Sequence, residues 1–287
     1  MTGFIVRTFV VPSGLTLSGD IGGVEGAPTV VLMHGGGQTR RSWHGASREF
    51  ARSGYRVINL DARGHGDSDW PTDGRYSLEA LAADVRAVLG PPAGPVALVG
   101  ASMGGVTALQ LAAGGHSPDV AAIIMVDIVP RVEQEGSDRI QAFMRAHLGG
   151  FGTVDEAADA VAAYYPQRPR PKDSSGLESN LRRRQDGRLY WHWDPRLIDG
   201  PHALEPPDFS DPLLEASPAV KIPVLVVRGL RSDIVSEAGI EEFRGVIPHL
   251  EVCNVAHAGH MVAGDRNDAF NAGALEFLSR HLPAGRV

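Results

Sequence analysis

Cysteine is nearly absent from this 287-residue chain: Cys253 is the only one. A disulfide within the chain is therefore impossible and a cysteine zinc cluster is excluded, which fits a reducing, cytoplasmic setting. Cys253 stands in HLEVCNV, where a lone cysteine reads as a small buried apolar residue. Long apolar runs are missing too. No stretch approaches the eighteen residues of a membrane-spanning helix, so no membrane role is expected. The opening MTGFIVRTFVVPSG is short, is broken by Arg7 and Pro12, and lacks a small-x-small cleavage site, so it does not read as a secretory signal. There is no basic stripe interleaved with aromatics, and 27 Lys and Arg against 34 Asp and Glu give a net charge of −7. Nucleic acid is not an expected partner. The run Arg182, Arg183, Arg184 reads as a solvated helix face.

With 43% hydrophobic residues, the chain has the means for a substantial core in one α/β domain carrying an insertion. Phe4 to Val11 and Leu15 to Ile21 flank PSG and predict an N-terminal hairpin. Thr29 to Met33, Tyr55 to Leu60, Val96 to Val99, Ala121 to Val126, Pro223 to Arg228 and Leu250 to Val255 are short apolar runs. Helical patterns separate them, at Arg40 to Ser53, after the capping residue Ser77, after Ser102, and from about Arg266 to His281. That alternation predicts a doubly wound, mostly parallel sheet, in which ligands bind beyond the carboxyl ends of the strands.

From Pro130 to about Pro218 the rhythm breaks into short helical patterns at Ser137 to His147, Val154 to Tyr164 and Ser175 to Arg184, with no buried-strand run. We read residues 131–218 as a helical cap inserted after the sixth strand, and 1–130 with 219–287 as the core. Tyr190, Trp191 and Trp193 suggest an apolar wall near a substrate, and His192 between them reads as a packed or exposed histidine.

The stretch PVALVGASMGGVTALQLAAGG, residues 95–115, carries the chemistry: a buried strand, a glycine-bounded turn and a helix. Gly100, Ala101, Ser102, Met103 and Gly104 match G-x-S-x-G, which pushes Ser102 out of the sheet at a helix N-terminus. His34, Gly35, Gly36, Gly37 and Gln38 follow another strand without the Lys and Ser/Thr of a phosphate-binding loop, so they read as oxyanion donors. His65, among the turn residues of DARGHGDSD, is expected to hold its loop together. A serine nucleophile needs a base and an orienting carboxylate, and the order Ser102, Asp233, His260 supplies both from strand ends.

HGGGQ at 34–38, DARGHGDSD at 61–69, GASMGG at 100–105, RGLRSD at 228–233 and AGHMV at 258–262 together resemble the α/β-hydrolase fold over essentially the whole chain. The resemblance lies with its capped serine hydrolases: esterases, cofactor-free perhydrolases and carbon–carbon bond hydrolases. It implies Ser102 as nucleophile, His260 as general base and acid, and Asp233 as its partner, with the N–H groups of Gly36 and Met103 forming the oxyanion hole. Asp127 is the rival acid, Gly37 a rival donor and His257 a rival base. His257 and His260 also have a metal-like separation, but no carboxylate lies at a ligand spacing beside them, so neither metal nor cofactor is expected. A serine at the elbow argues against the epoxide hydrolase and haloalkane dehalogenase branches, which use a carboxylate there.

The expected activity is carboxylesterase-like cleavage of a small, hydrophobic substrate through an acyl-enzyme. Carbon–carbon bond hydrolysis, lactone hydrolysis and perhydrolysis need the same triad, and a small-molecule receptor with little turnover is the reading from another class. Oligomeric state leaves no trace in the pattern.

Overall fold

The computed structural model describes residues 3–91, 94–115, 119–166, 170, 172–200, 202–203, 206–260, 262 and 267–284. Met261 of the AGHMV motif, Arg266 at the expected start of the last helix, and part of the YPQRPRPKD connector lie outside them.

The core strands are β1 (Ile5–Val10), β2 (Thr16–Gly23), β3 (Thr29–Met33), β4 (Arg56–Leu60), β5 (Val96–Ala101) and β6 (Val120–Val126). Two more, β9 (Val224–Gly229) and β10 (Glu251–Val255), follow the inserted segment. They form an eight-stranded sheet in the order β1-β2-β4-β3-β5-β6-β9-β10. β1 pairs antiparallel with β2 and β2 with β4, and every other pairing is parallel. The helices α1 (His44–Arg52), α2 (Leu78–Leu89) and α3 (Met103–Ala113) fill the connections of the first half.

Strand alternation explains why the central runs are apolar without a break, because successive side chains enter opposite layers. Val31, Met33, Leu98, Ile123, Met125 and Val226 face one layer with Leu78, Val85, Val106 and Leu109 of α2 and α3. Their neighbours Val30, Leu32, Val99, Ile124, Leu225 and Val227 face the other. There they meet Phe50 of α1 and Phe270 and Phe277 of the last helix, α9 (Asn267–His281). Local signals agree with this packing: the Ser77 hydroxyl accepts from the Ala80 N–H at 3.4 Å at the start of α2.

Between β6 and β9 lie α4 (Gln134–Ala146), α5 (Val154–Tyr164), the strands β7 (Leu181–Arg183) and β8 (Leu189–Trp191), α6 (Arg196–Asp199) and α7 (Pro206–Ala216). The segment is not wholly helical. Residues Ser175–Asn180 form a 3-10 turn, and β7 and β8 pair as an antiparallel hairpin where a charged helix was expected. Asp186-Gly187 closes it, with Gly187 at φ +79° and the Arg184 N–H bonded to the Arg188 carbonyl at 3.0 Å. That dipeptide is a strong hairpin signal. Arg184 accordingly lies over the rings of Tyr190 and Trp70 and is not part of a solvated helix face. α7 packs on the sheet side: Phe209 and Leu213 join the cluster that contains Leu109 of α3. After β9, α8 (Glu237–Val246) completes the same layer through Ile240 and Phe243. Among the described residues no helix is long and apolar enough to cross a membrane.

Candidate active site

Ser102 stands between the last residue of β5 and the first of α3, with φ +47° and ψ −116°. A non-glycine residue in this region is strained and persists only where its surroundings fix it. Its surroundings do: the Ser102 N–H bonds to the Val126 carbonyl at 3.1 Å, and its carbonyl accepts from Gly105 at 2.8 Å and Val106 at 3.2 Å. The motif glycines answer to close approach. A methyl group at Gly100 would overlap the backbone of Gly104, and one at Gly104 would overlap the Met33 carbonyl of β3.

Asp127, the residue after β6, is fully buried and also has positive φ, at +49°. Its Oδ1 accepts from the Gly229 N–H at 2.9 Å, while Oδ2 accepts from the Ser232 hydroxyl and from His260 Nδ1 at 2.9 Å. The carboxylate on His260 is therefore Asp127, not the expected Asp233. Asp233 instead pairs with Arg139 of α4, and its side chain keeps 32% of its surface exposed. The cause lies one residue earlier. Ser232 Oγ donates to Asp127 and accepts from the N–H groups of Ile234 at 3.1 Å and Val235 at 3.2 Å, which turns the loop inward on Ser232 and leaves Asp233 facing α4. His257, the rival base, is exposed with φ +63°, and its Nδ1 faces Arg231 Nη2 at 3.2 Å.

The 34–38 loop is organised by side chains from the next loop. Gly35 N–H donates to Gln38 Oε1 at 3.2 Å and Gly37 N–H to His65 Nε2 at 3.1 Å, so Gly37 is already spent. Among the described residues, the N–H groups of Gly36 and Met103 have no acceptor. His65 Nδ1 donates to the Arg63 carbonyl at 3.0 Å, and His34 Nε2 accepts from the Ala62 N–H at 3.0 Å. Burial, reinforced by the neighbouring His34 ring at 4.9 Å, pushes the His65 pKa down to about 3, so the ring is a neutral acceptor. His65 ties two loops together, as its place among turn residues implied.

Ser102, Met103, Gly36 and His260 all line one cavity of about 560 Å³. The sheet side contributes Val106, Ile128 and Ile234; the inserted segment contributes Phe143, Met144, Tyr164, Trp191 and Trp193. Tyr190 is turned away, its hydroxyl donating to Asp186 at 2.7 Å and its ring under Arg184. Phe143 and Tyr164 escaped the sequence reading, although they lie within the expected helices. Helical spacing identifies an apolar face but not which of two apolar neighbours it meets. Among the described residues no group of three His, Cys, Asp or Glu side chains is placed to hold a metal.

The chain belongs to the alpha/beta hydrolase fold family, whose model matches residues 28–266. It is similar to the esterase Rv0045c of Mycobacterium tuberculosis, with 29% identity over 249 residues covering 84% of this chain and 79% of that protein. It is also similar to the mouse sn-1-specific diacylglycerol lipase ABHD11, with 28% identity over 277 residues covering 88% and 81%. Among solved structures, E-2-(acetamidomethylene)succinate hydrolase superimposes with a TM-score of 0.84 at 25% identity, covering 96% of this chain and all of that one. These relatives make the chain a hydrolase, with ester hydrolysis the activity its curated relatives support.

Proposed function

We propose that the protein hydrolyses carboxylic esters of small, hydrophobic substrates through an acyl-enzyme formed on Ser102, with His260 as base and acid and Asp127 as its orienting carboxylate. The observation that carries this reading is the Asp127–His260 hydrogen bond at 2.9 Å beside a strained Ser102 on the wall of the same cavity. With Nδ1 committed to Asp127, the other ring nitrogen, Nε2, is the one that takes the Ser102 proton as Oγ attacks the acyl carbon. Buried Asp127 stabilises the imidazolium that results and fixes the tautomer. The N–H groups of Gly36 and Met103 receive the oxyanion, the second aided by the N-terminus of α3. Each such donor contributes on the order of 3 kcal/mol. Collapse of the tetrahedral adduct expels the alcohol, which takes its proton from His260. Water then attacks the acyl-enzyme through the same base.

Residues 131–203 act as the cap, with α7 assigned by its packing to the core. The apolar surfaces of Phe143, Trp191 and Trp193 support a hydrophobic acyl or alcohol group as the bound part of the substrate. The test is hydrolysis of short- and medium-chain p-nitrophenyl esters by the wild type and by Ser102→Ala. Turnover by the wild type and a loss on the order of 10⁴-fold or more in the variant are expected. Equal activity of the two proteins would remove Ser102 from the chemistry.

A further inference from the structure

We infer that Arg41 gives this cavity a preference for esters whose bound part ends in a carboxylate; the inference rests on the serine hydrolase reading above. Arg40 and Arg41 are adjacent in the 3-10 turn Arg40–Trp43 that follows the 34–38 loop, yet they have opposite fates. Arg40 is buried and pairs with Asp20 at 3.1 Å, with Asp67 at 2.9 Å and with Asp61. It takes the carboxylates of its surroundings. Arg41 is exposed and lines the cavity, and its guanidinium has no hydrogen-bond or ion-pair partner among the described residues. Asp67 feels its charge but is held by Arg40.

The composition of the wall gives this cation its meaning. Among the described lining residues, Arg41 is the only Lys or Arg, and no Asp or Glu lines the cavity. An entering carboxylate meets no like charge there. The chain as a whole carries a net charge of −7, so a local cation is what makes the site receptive to an anion. The guanidinium fork matches a carboxylate with two parallel N–H···O bonds, a geometry an ammonium does not reproduce. Arg41 also lies five positions after Gly36, on the segment that offers the oxyanion donor. Anion recognition and oxyanion binding are thus positioned by one short stretch, and Arg41 acts on the part of the substrate remote from the scissile bond.

The pair mono-p-nitrophenyl adipate and p-nitrophenyl hexanoate isolates the effect, since both acyl chains have six carbons and only one ends in a carboxylate. The ratio of kcat/KM for adipate to that for hexanoate is expected to fall about fivefold in Arg41→Gln, chiefly through KM, and to recover in part in Arg41→Lys. Added salt narrows the wild-type ratio, because the contact is at an exposed mouth. An unchanged ratio in Arg41→Gln, including one accompanied by equal losses on both esters, overturns the inference while leaving the hydrolase reading standing. Failure of the wild type to hydrolyse either ester removes the proposed ester hydrolysis and the inference with it.

Discussion

The two walls of the cavity are built by different means. On the sheet side, Asp61, His34, His65 and Asp127 are at most 1% exposed, and each is fixed by bonds to backbone or to another loop. Arg63 joins them through a buried bidentate pair with Asp84 at 2.6 and 2.7 Å. Across the cavity, the inserted segment is held by exposed pairs such as Arg170 with Asp155, by Arg188 on the carbonyls of Gly149 and Gly150, and by a small cluster around Phe151, Leu181 and Leu189. The difference assigns labour. Groups that must be held to a fraction of an ångström sit where several bonds determine each atom. The inserted segment contributes apolar side chains to the cavity, such as Met144 and Trp193, and carries many of its polar contacts at the surface.

The sharpest break of this comparison is at the two aspartates. Asp127→Asn, on the fixed wall, is expected to lower kcat on the order of 10³- to 10⁴-fold by disturbing the tautomer of His260. Asp233→Asn loses only a part-exposed pair with Arg139, and its kcat is expected to stay within about threefold of the wild type. Steady-state kinetics on one ester decide the matter. A collapse of activity in Asp233→Asn with Asp127→Asn intact would reverse the assignment.

This contrast also marks how far the sequence was legible. The strand runs, the G-x-S-x-G turn and the glycine loop are local patterns, and each predicts an element that the fold contains. The carboxylate partner of His260 is a long-range choice, 133 positions away, between two aspartates that both follow strands. What separates them is a hydroxyl: Ser232 turns its loop toward Asp127, and nothing in RGLRSD reveals which way that loop closes. The hairpin of the inserted segment is a different kind of miss. Its Asp186-Gly187 turn was present to be read, but three consecutive arginines obscured the short strands on either side.

The next effect is on stability. Gly104→Ala places a methyl group against the backbone carbonyl of Met33, which is held in β3, and is expected to cost about 3 kcal/mol. Gly149→Ala, between α4 and α5, meets nothing within 4 Å and is expected to stay within about 0.5 kcal/mol. Urea midpoints of the two variants measure the gap. Equal losses would mean that the inserted segment is as tightly determined as the elbow.

The smallest expected effect is a dependence on pH, and it distinguishes the walls by the protons they exclude. His65 has a folded pKa near 3 against 6.5 when solvated, because burial penalises its charged form. Between these values the unfolded chain binds the extra proton. Stability contributed by neutral His65 is therefore complete above pH 6.5 and is lost as pH falls toward 3, at about 1.4 kcal/mol per pH unit. His192, in the inserted segment, is also lowered by burial and by Arg182, but it is only partly covered. Unfolding free energies from pH 7 to about 4.5, above most carboxylate titrations, are expected to fall less steeply in His65→Gln than in the wild type. His192→Gln should flatten the slope by less. Parallel slopes for the wild type and His65→Gln would show that His65 takes up its proton without unfolding the loop, and the wall that carries the oxyanion donor would then be less fixed than its hydrogen bonds imply.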